Sequence, residues 1–156
     1  MSAAHFMAAE EAPESVYVHP GQLYVASHAA FVSTILGSCV AVCLWDPVAR
    51  VGGMNHFLLP SGKGARYGDE AMPLLIEEMI AKGALVARIV AKVFGGACVI
   101  EGFTGPRKAI GTMNAEAAMR FLAAHSIPVR AEQTGGRRGR KLLFHTGTGL
   151  AYVKDI

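Results

Sequence analysis

The sequence is poor in cysteine, in aromatic side chains and in net charge, and each shortage argues against a class of protein. Its three cysteines are an odd number, so they do not form a closed disulfide framework. Aromatic residues make up only 8% of the chain and the formal net charge is +3. Neither value indicates a base-stacking surface or a strongly basic patch, so we expect no nucleic-acid binding.

Long apolar runs are also missing. No stretch of about 18 uncharged apolar residues occurs, so no membrane span is expected. The stretch 84–94 comes nearest, but Arg88 and Lys92 interrupt it. The first residues have no positive start followed by an apolar core, so we predict no secretory signal peptide. A cytoplasmic location follows, where a cysteine is more often free, catalytic or metal-bound than bridged.

What the chain does have is enough apolar sequence for one core. It contains 156 residues, of which 52% are hydrophobic, and this suits one domain better than two. Residues 1–15 are rich in Ala and Glu and lack a core-forming pattern, so we expect a disordered tail. A single domain is predicted for residues 16–156.

Apolar and β-branched stretches between turn signals predict about eight strands. They lie near 22–27, 31–36, 40–45, 51–58, 86–94, 128–134, 140–145 and 149–154, with a further short strand near 97–101. Asp46 and Pro47 form a turn signal, so the strands near 40–45 and 51–58 are predicted to pair as a hairpin.

Two helices are predicted between these strands. Asp69 is expected to cap the first, with Pro73 in its first turn and Gly83 at its end. After a loop over 102–111, Thr112 is expected to cap the second, which runs to about His125. Strands and helices do not alternate strictly, so the fold class is α/β with mixed sheets.

The segment TILGSCVAVCLWDP (34–47) raises the question of chemistry. Cys39 follows Gly37 and Ser38, where the backbone can turn sharply and expose the sulfur. Backbone N–H groups of Ser38 and Cys39 are candidates for holding an oxyanion. Cys43 and Cys98 are interpreted as small buried hydrophobic residues, the commoner role of a lone cysteine. On spacing alone, that role also remains open for Cys39.

A nucleophilic cysteine needs a base, and His56 is the candidate. It lies on the second arm of the predicted hairpin, which brings positions 39 and 56 near each other. The sequence of the turn does not fix whether the two side chains point to the same face. An ordinary core or surface histidine explains His56 equally well. A zinc site of Cys39, Cys43 and His56 lacks a fourth ligand. The spacing of the two cysteines also differs from that of a thioredoxin-like redox pair.

Several motifs resemble those of the chemoreceptor glutamine deamidase family CheD. The block LGSCVAVCLWDP followed by GGMNHFLLP resembles the family signature. KVFGGACV, IGTMNAEA and EQTGGRRGRKLLFHTGTGLAYVK extend the resemblance over roughly residues 20–155. The resemblance implies a layered α/β sandwich of mixed sheets, related to bacterial toxin glutaminases.

The resemblance also implies an activity and a set of residues. CheD proteins deamidate glutamines of methyl-accepting chemotaxis receptors to glutamates, without a metal or organic cofactor. The family's nucleophile corresponds to Cys39 and its base to His56. Its third residue is a threonine six positions before the cysteine, which corresponds to Ser33, with Thr34 beside it.

Other functions remain open at this stage. The chain could be a non-catalytic partner of chemotaxis proteins, since the family also binds a CheC-type phosphatase. A thioester intercepted by an amine would instead make it an acyltransferase or transglutaminase. A basic segment contains Arg137, Arg138, Arg140 and Lys141. It is either a solvated turn or a docking site for acidic rows on receptor helices.

Overall fold

The computed structural model describes residues 13–98 and 109–156. These residues form nine strands and two α-helices. The strands are β1 (Glu14–Tyr17), β2 (Leu23–Ala26), β3 (Ala30–Leu36), β4 (Val40–Asp46), β5 (Val51–Asn55), β6 (Val90–Gly95), β7 (Val129–Thr134), β8 (Arg140–His145) and β9 (Ala151–Asp155). The helices are α1 (Gly68–Ala81) and α2 (Ile110–Ala124), and a 3₁₀ turn covers Val86–Arg88.

The strands form two mixed sheets. One has four strands in the order β1-β3-β8-β9, and the other has five in the order β2-β5-β4-β6-β7. The pairs β1–β3 and β6–β7 are parallel and the others antiparallel. The prediction of an α/β fold with mixed sheets and two main helices is therefore confirmed.

Two apolar clusters hold three layers together. The first fills the space between the sheets and includes Val32, Ala41 and Phe144. The second lies between the five-stranded sheet and the helices and includes Val42 and Leu75. Strand β4 contributes to both clusters with alternate residues, so six of its seven side chains are buried. This explains its nearly continuous apolar sequence.

The predicted hairpin is confirmed, and Asp46 holds its turn. Its carboxylate accepts hydrogen bonds from the N–H groups of Val48 and Ala49, at 2.9 and 3.1 Å. Across the fold it also accepts from the Leu85 N–H at 2.9 Å and pairs with Arg88 at 3.0 Å. The buried carboxylate thus ties the β4–β5 turn to the segment that leads into β6.

The start of α1 differs from the prediction. The helix begins at Gly68, whose N–H donates to the Leu59 carbonyl, while the Asp69 N–H donates to the Pro60 carbonyl. The preceding loop therefore satisfies these N–H groups, and Asp69 is the second helical residue instead of the cap. Pro73 consequently lies in the second turn, at the sixth helical position.

The start of α2 also differs, because Ala109 is its N-terminal flanking residue and Thr112 lies inside the helix. A Cβ on Gly111 would lie 2.4 Å from the Ala97 carbonyl oxygen, so this first turn packs closely against the chain beyond β6. Residues 86–88 form a 3₁₀ turn instead of strand. Residues 97–98 are outside any strand, and the rest of the strand predicted near 97–101 lies outside the described residues.

The predicted domain boundary needs a small correction. Glu14 and Ser15, placed in the tail by composition, belong to β1 and pair with β3. Residues 1–12 of the predicted tail lie outside the described residues. Within the described ranges, neither helix is long and apolar enough to cross a bilayer.

We predict that Asp46→Asn destabilises the protein by about 3 kcal/mol, because it removes a fully buried anion that accepts from three backbone N–H groups and pairs with the partly exposed Arg88. Burial alone would raise the pKa of Asp46, but the Leu85 and Ala49 N–H groups and the Arg88 guanidinium outweigh it and hold that pKa below 3.8. The carboxylate's stabilising contribution is therefore fully present above pH 3.8 and is lost as the pH falls through the lower folded pKa. Urea unfolding between pH 6 and pH 3 measures both effects.

The exposed Asp155→Asn is the matched control and should leave both the stability and its pH dependence nearly unchanged. An Asp46→Asn protein as stable as the wild type at pH 6 would contradict the anchoring role of this carboxylate.

Candidate active site

The register of the hairpin places Cys39 and His56 on the same side of the five-stranded sheet. Val40 pairs with Phe57 just beyond the regular strands, with backbone hydrogen bonds of 3.0 and 3.1 Å. Cys39 and His56 each precede one member of this pair, so their side chains point to the opposite face, into the space between the sheets. They are diagonal cross-strand neighbours, a relationship that separates Cβ atoms by about 7 Å.

The imidazole of His56 is only 2% exposed and is held through Nδ1. Nδ1 lies 2.7 Å from Oγ1 of Thr34, and the same hydroxyl donates to the Val18 carbonyl at 2.6 Å. A threonine hydroxyl has one hydrogen, so Oγ1 must accept from the His56 Nδ1–H. Nε2 is then left as an unprotonated acceptor.

The second ring nitrogen of His56 is the one available to accept a proton. Nε2 of His56 is buried and has no hydrogen-bond partner among the described residues. Burial lowers the pKa of His56, and the nearby Val18 carbonyl offsets this only in part. The ring is therefore neutral near neutral pH and able to accept a proton.

Cys39 is half-buried and packs against the cluster between the sheets. Burial raises the pKa of its thiol above 9.0, although its own backbone N–H lowers it somewhat. A raised thiol pKa beside a lowered imidazole pKa favours the uncharged pair at rest. Such a pair can transfer the proton from sulfur to Nε2 as the sulfur attacks.

The hydroxyl beside His56 belongs to Thr34, whereas the predicted Ser33 lies on the other face of β3. Val32 and Thr34 point inward from β3 and are buried, whereas Ser33 points outward and pairs with Leu143 of β8. A shift of one residue along a strand moves a side chain to the opposite face. Counting six positions back from the cysteine therefore selected the wrong face of β3. Both sets of alternate positions in AFVSTIL contain apolar residues, so the sequence pattern alone does not show that Thr34 faces inward.

Asn114 of α2 joins the two segments that carry the site. Its amide nitrogen donates to the carbonyl of Ser38 at 2.9 Å and to that of Leu58 at 2.8 Å. These carbonyls lie beside Cys39 and two residues after His56. No role was predicted for Asn114 from the sequence. Asn is a poor helix former, so a buried Asn inside a helix indicates a specific polar contact.

Strand β6 closes against the Cys39 turn through two glycines. The Gly96 N–H donates to the Cys39 carbonyl at 2.8 Å, and a Cβ on Gly95 would lie 2.2 Å from that oxygen. Gly95 has a φ of 107°, which side chains rarely tolerate. This close approach explains the Gly-Gly pair in KVFGGACV.

The four predicted docking cations do not form one exposed cluster. Arg137 and Arg138 are exposed in the turn before β8. Arg140 is half-buried and donates to the Gly95 carbonyl at 3.1 Å, so it supports the Cys39 turn instead of facing solvent. Lys141 is exposed on the outer side of the four-stranded sheet.

The other cysteines have different surroundings. Cys43 is completely buried, and this burial raises its thiol pKa far above the usual range, which confirms its interpretation as a core residue. Cys98 is half-buried, and all three cysteines are free of disulfides. No group of three or more His, Cys, Asp or Glu side chains in residues 13–98 and 109–156 is arranged to hold a metal ion.

This chain is similar to known proteins over most of its length. Residues 59–155 match the family model described as CheD chemotactic sensory transduction. A probable chemoreceptor glutamine deamidase CheD 1 from Anaeromyxobacter dehalogenans is 52% identical over 145 residues, covering 90% of this chain and 84% of the relative. Probable chemoreceptor glutamine deamidases CheD from Stenotrophomonas maltophilia and Xanthomonas campestris are each 49% identical over 142 residues, covering 88% of this chain and 71% of each relative. On this evidence the chain belongs to the CheD family.

Proposed function

We propose that the protein is a protein-glutamine glutaminase that deamidates glutamines of chemoreceptors to glutamates, with Cys39 as the nucleophile. The observation that carries this proposal is that Cys39 and a neutral His56 are diagonal neighbours on one face of the sheet, and that Nε2 of His56 has no hydrogen-bond partner among the described residues. The names of the relatives support the substrate, since they are described as chemoreceptor glutamine deamidases. A CheC-type phosphatase as partner and a cytoplasmic location stay predictions.

The first half of the reaction forms a thioester. Nε2 of His56 accepts the thiol proton while the Cys39 sulfur attacks the carboxamide carbon of the substrate glutamine. The N–H groups of Ser38 and Cys39 are the proposed donors to the oxyanion. The C–N bond then breaks, and the imidazolium returns its proton to the nitrogen, which leaves as ammonia.

The second half hydrolyses the thioester. His56, neutral again, removes a proton from water as the oxygen attacks the thioester carbon. The C–S bond breaks, the sulfur takes the proton from the imidazolium, and glutamate is released. The balance is one carboxamide and one water converted to one carboxylic acid and one ammonia, so this route needs no cofactor.

Thr34 and Asn114 act as positioning residues in this scheme. Thr34 keeps the ring hydrogen on Nδ1, which leaves Nε2 free for the sulfur proton. Asn114 holds the turns of Cys39 and His56 at a constant separation through the Ser38 and Leu58 carbonyls. Docking through the exposed Arg137 and Arg138 stays a prediction.

We predict that Cys39→Ala lowers glutamine deamidation at least about 1000-fold without unfolding the protein, because the nucleophile is lost from a half-buried turn. Peptide mass mapping of a chemoreceptor cytoplasmic domain measures conversion of amide to acid. Cys43→Ala is the matched control. It should retain activity and lose about 1 kcal/mol of stability, because it leaves a small core cavity.

Normal deamidation by a folded Cys39→Ala protein would exclude the thioester route. An adduct larger than the amide-to-acid change would indicate transfer to an amine, and an unmodified receptor would indicate a binding role.

We predict that Thr34→Val lowers kcat about 10- to 100-fold, as loss of a group that orients a catalytic residue commonly does. Without the Oγ1 acceptor, the ring hydrogen is no longer confined to Nδ1. The acid limb of the wild-type pH–kcat profile should lie below 6.5, because burial lowers the pKa of His56. Steady-state rates from pH 4.5 to 8 give both quantities.

Thr34→Ser should restore most of the rate, and Ser33→Ala should leave the rate and the pH profile unchanged. A larger loss in Ser33→Ala than in Thr34→Val would reverse the assignment of these two neighbours.

We predict that Asn114→Asp lowers kcat for short glutamine peptides about 100-fold, because a carboxylate cannot donate to the two carbonyls. The rate of Cys39 alkylation by iodoacetamide as a function of pH provides a second measurement. Displacement of His56 from Cys39 should shift that profile to higher pH. An unchanged alkylation profile in a slow Asn114→Asp protein would show that Asn114 acts elsewhere.

A further inference from the structure

The four-stranded sheet has one face that no other layer of the described structure covers. Both helices pack on the five-stranded sheet instead. Strand register identifies the side chains that point away from the core. We call this surface the outer face. It includes Tyr17, Ser33, Ile35, Lys141, Tyr152 and Lys154.

The outer face is unusually apolar for a solvated sheet surface. Tyr17, Ile35 and Tyr152 are 43, 47 and 55% exposed, and they lie on three different strands of one sheet. A sheet with one solvated side normally presents polar residues there. Contiguous exposed apolar residues instead mark a surface that contacts another molecule.

Ser33 forms the floor of a depression in this face. The depression has a volume of about 330 Å³, and Leu143, Tyr152 and the two lysines stand around Ser33. In the ladder Ser33 lies between Tyr17 of β1 and Leu143 of β8, so a small side chain is flanked by two large ones. This shape suits an apolar side chain inserted from a partner.

The charges on the outer face have one sign. Lys141 and Lys154 are directly opposite each other in the β8–β9 ladder, and like charges in that position repel. No Asp or Glu occupies an outward position on the four strands. A second copy of this face would bring further lysines, whereas a partner with carboxylates would balance them.

The outer face is also close to the proposed active site along the chain. Ile35 pairs with Lys141 near the end of β3, and the chain reaches Cys39 four residues later. This inference rests on the proposed function, under which the protein substrate is the partner that would use this face. We propose that the outer face docks the chemoreceptor through an acidic segment, which inserts an apolar side chain over Ser33 and places carboxylates on Lys141 and Lys154.

Binding of a purified chemoreceptor cytoplasmic domain to the Cys39→Ala protein tests this surface without requiring turnover. Reversing both lysines, Lys141→Glu with Lys154→Glu, should raise Kd at least about 10-fold and weaken its dependence on salt. Ser33→Trp, which fills the depression, should raise Kd by a similar factor through sterics alone. Ile80→Asp is the matched control, since Ile80 is 49% exposed on α1, and it should leave Kd unchanged.

Kinetics in the Cys39-containing protein separate docking from chemistry. The outer-face variants should raise KM for the receptor domain while leaving kcat/KM for a short glutamine peptide unchanged. Absence of wild-type binding, or Kd values equal to wild type in the lysine and Ser33 variants, would overturn the proposal. Conversion of a dimer to monomers by these variants in sedimentation would identify the face as a self-interface and also overturn it. Binding without deamidation would reject the proposed function and leave the docking surface standing.

Discussion

The antiparallel pairing of β4 with β5 is the constraint on which the rest of the site depends. Its register sets Cys39 and His56 on one face as diagonal neighbours, and its turn is held by the buried Asp46. Because side chains alternate along a strand, a slip of one residue would send one of the pair to the helix layer. The extensive burial of β4 on both faces makes such a slip costly, since it would exchange side chains between two differently shaped cores.

Burial also determines which protonation states of Cys39 and His56 are favoured. Removing His56 from water disfavours its charged form, and removing the thiol of Cys39 disfavours the thiolate. The hydrogen bond from His56 to Thr34, whose own hydrogen goes to the Val18 carbonyl, then selects one tautomer. The neutral state of His56 and its unprotonated Nε2 are therefore products of packing as much as of residue type.

Strand β3 links chemistry to recognition through its two faces. Thr34 points inward to His56, while Ser33 and Ile35 point outward to an uncovered surface. A substrate bound on the proposed docking surface would lie along the strand whose Thr34 holds His56. Strand β3 carries apolar residues at both sets of alternate positions, and only one set contributes to the core.

The sequence by itself was enough to predict the hairpin, the α/β class and both helices, because these depend on turn residues, periodicity and local motifs. The hairpin also predicted that positions 39 and 56 lie near each other, but it left open whether their side chains share a face. The sequence misplaced the helix starts, since backbone bonds to the preceding loop take the place of a side-chain cap at α1. It also selected Ser33 over Thr34 and overlooked Asn114, whose partners are 76 and 56 residues away. Only the tertiary structure showed these contacts, because the facing of a side chain and the partners of a buried amide depend on which distant segments pack together.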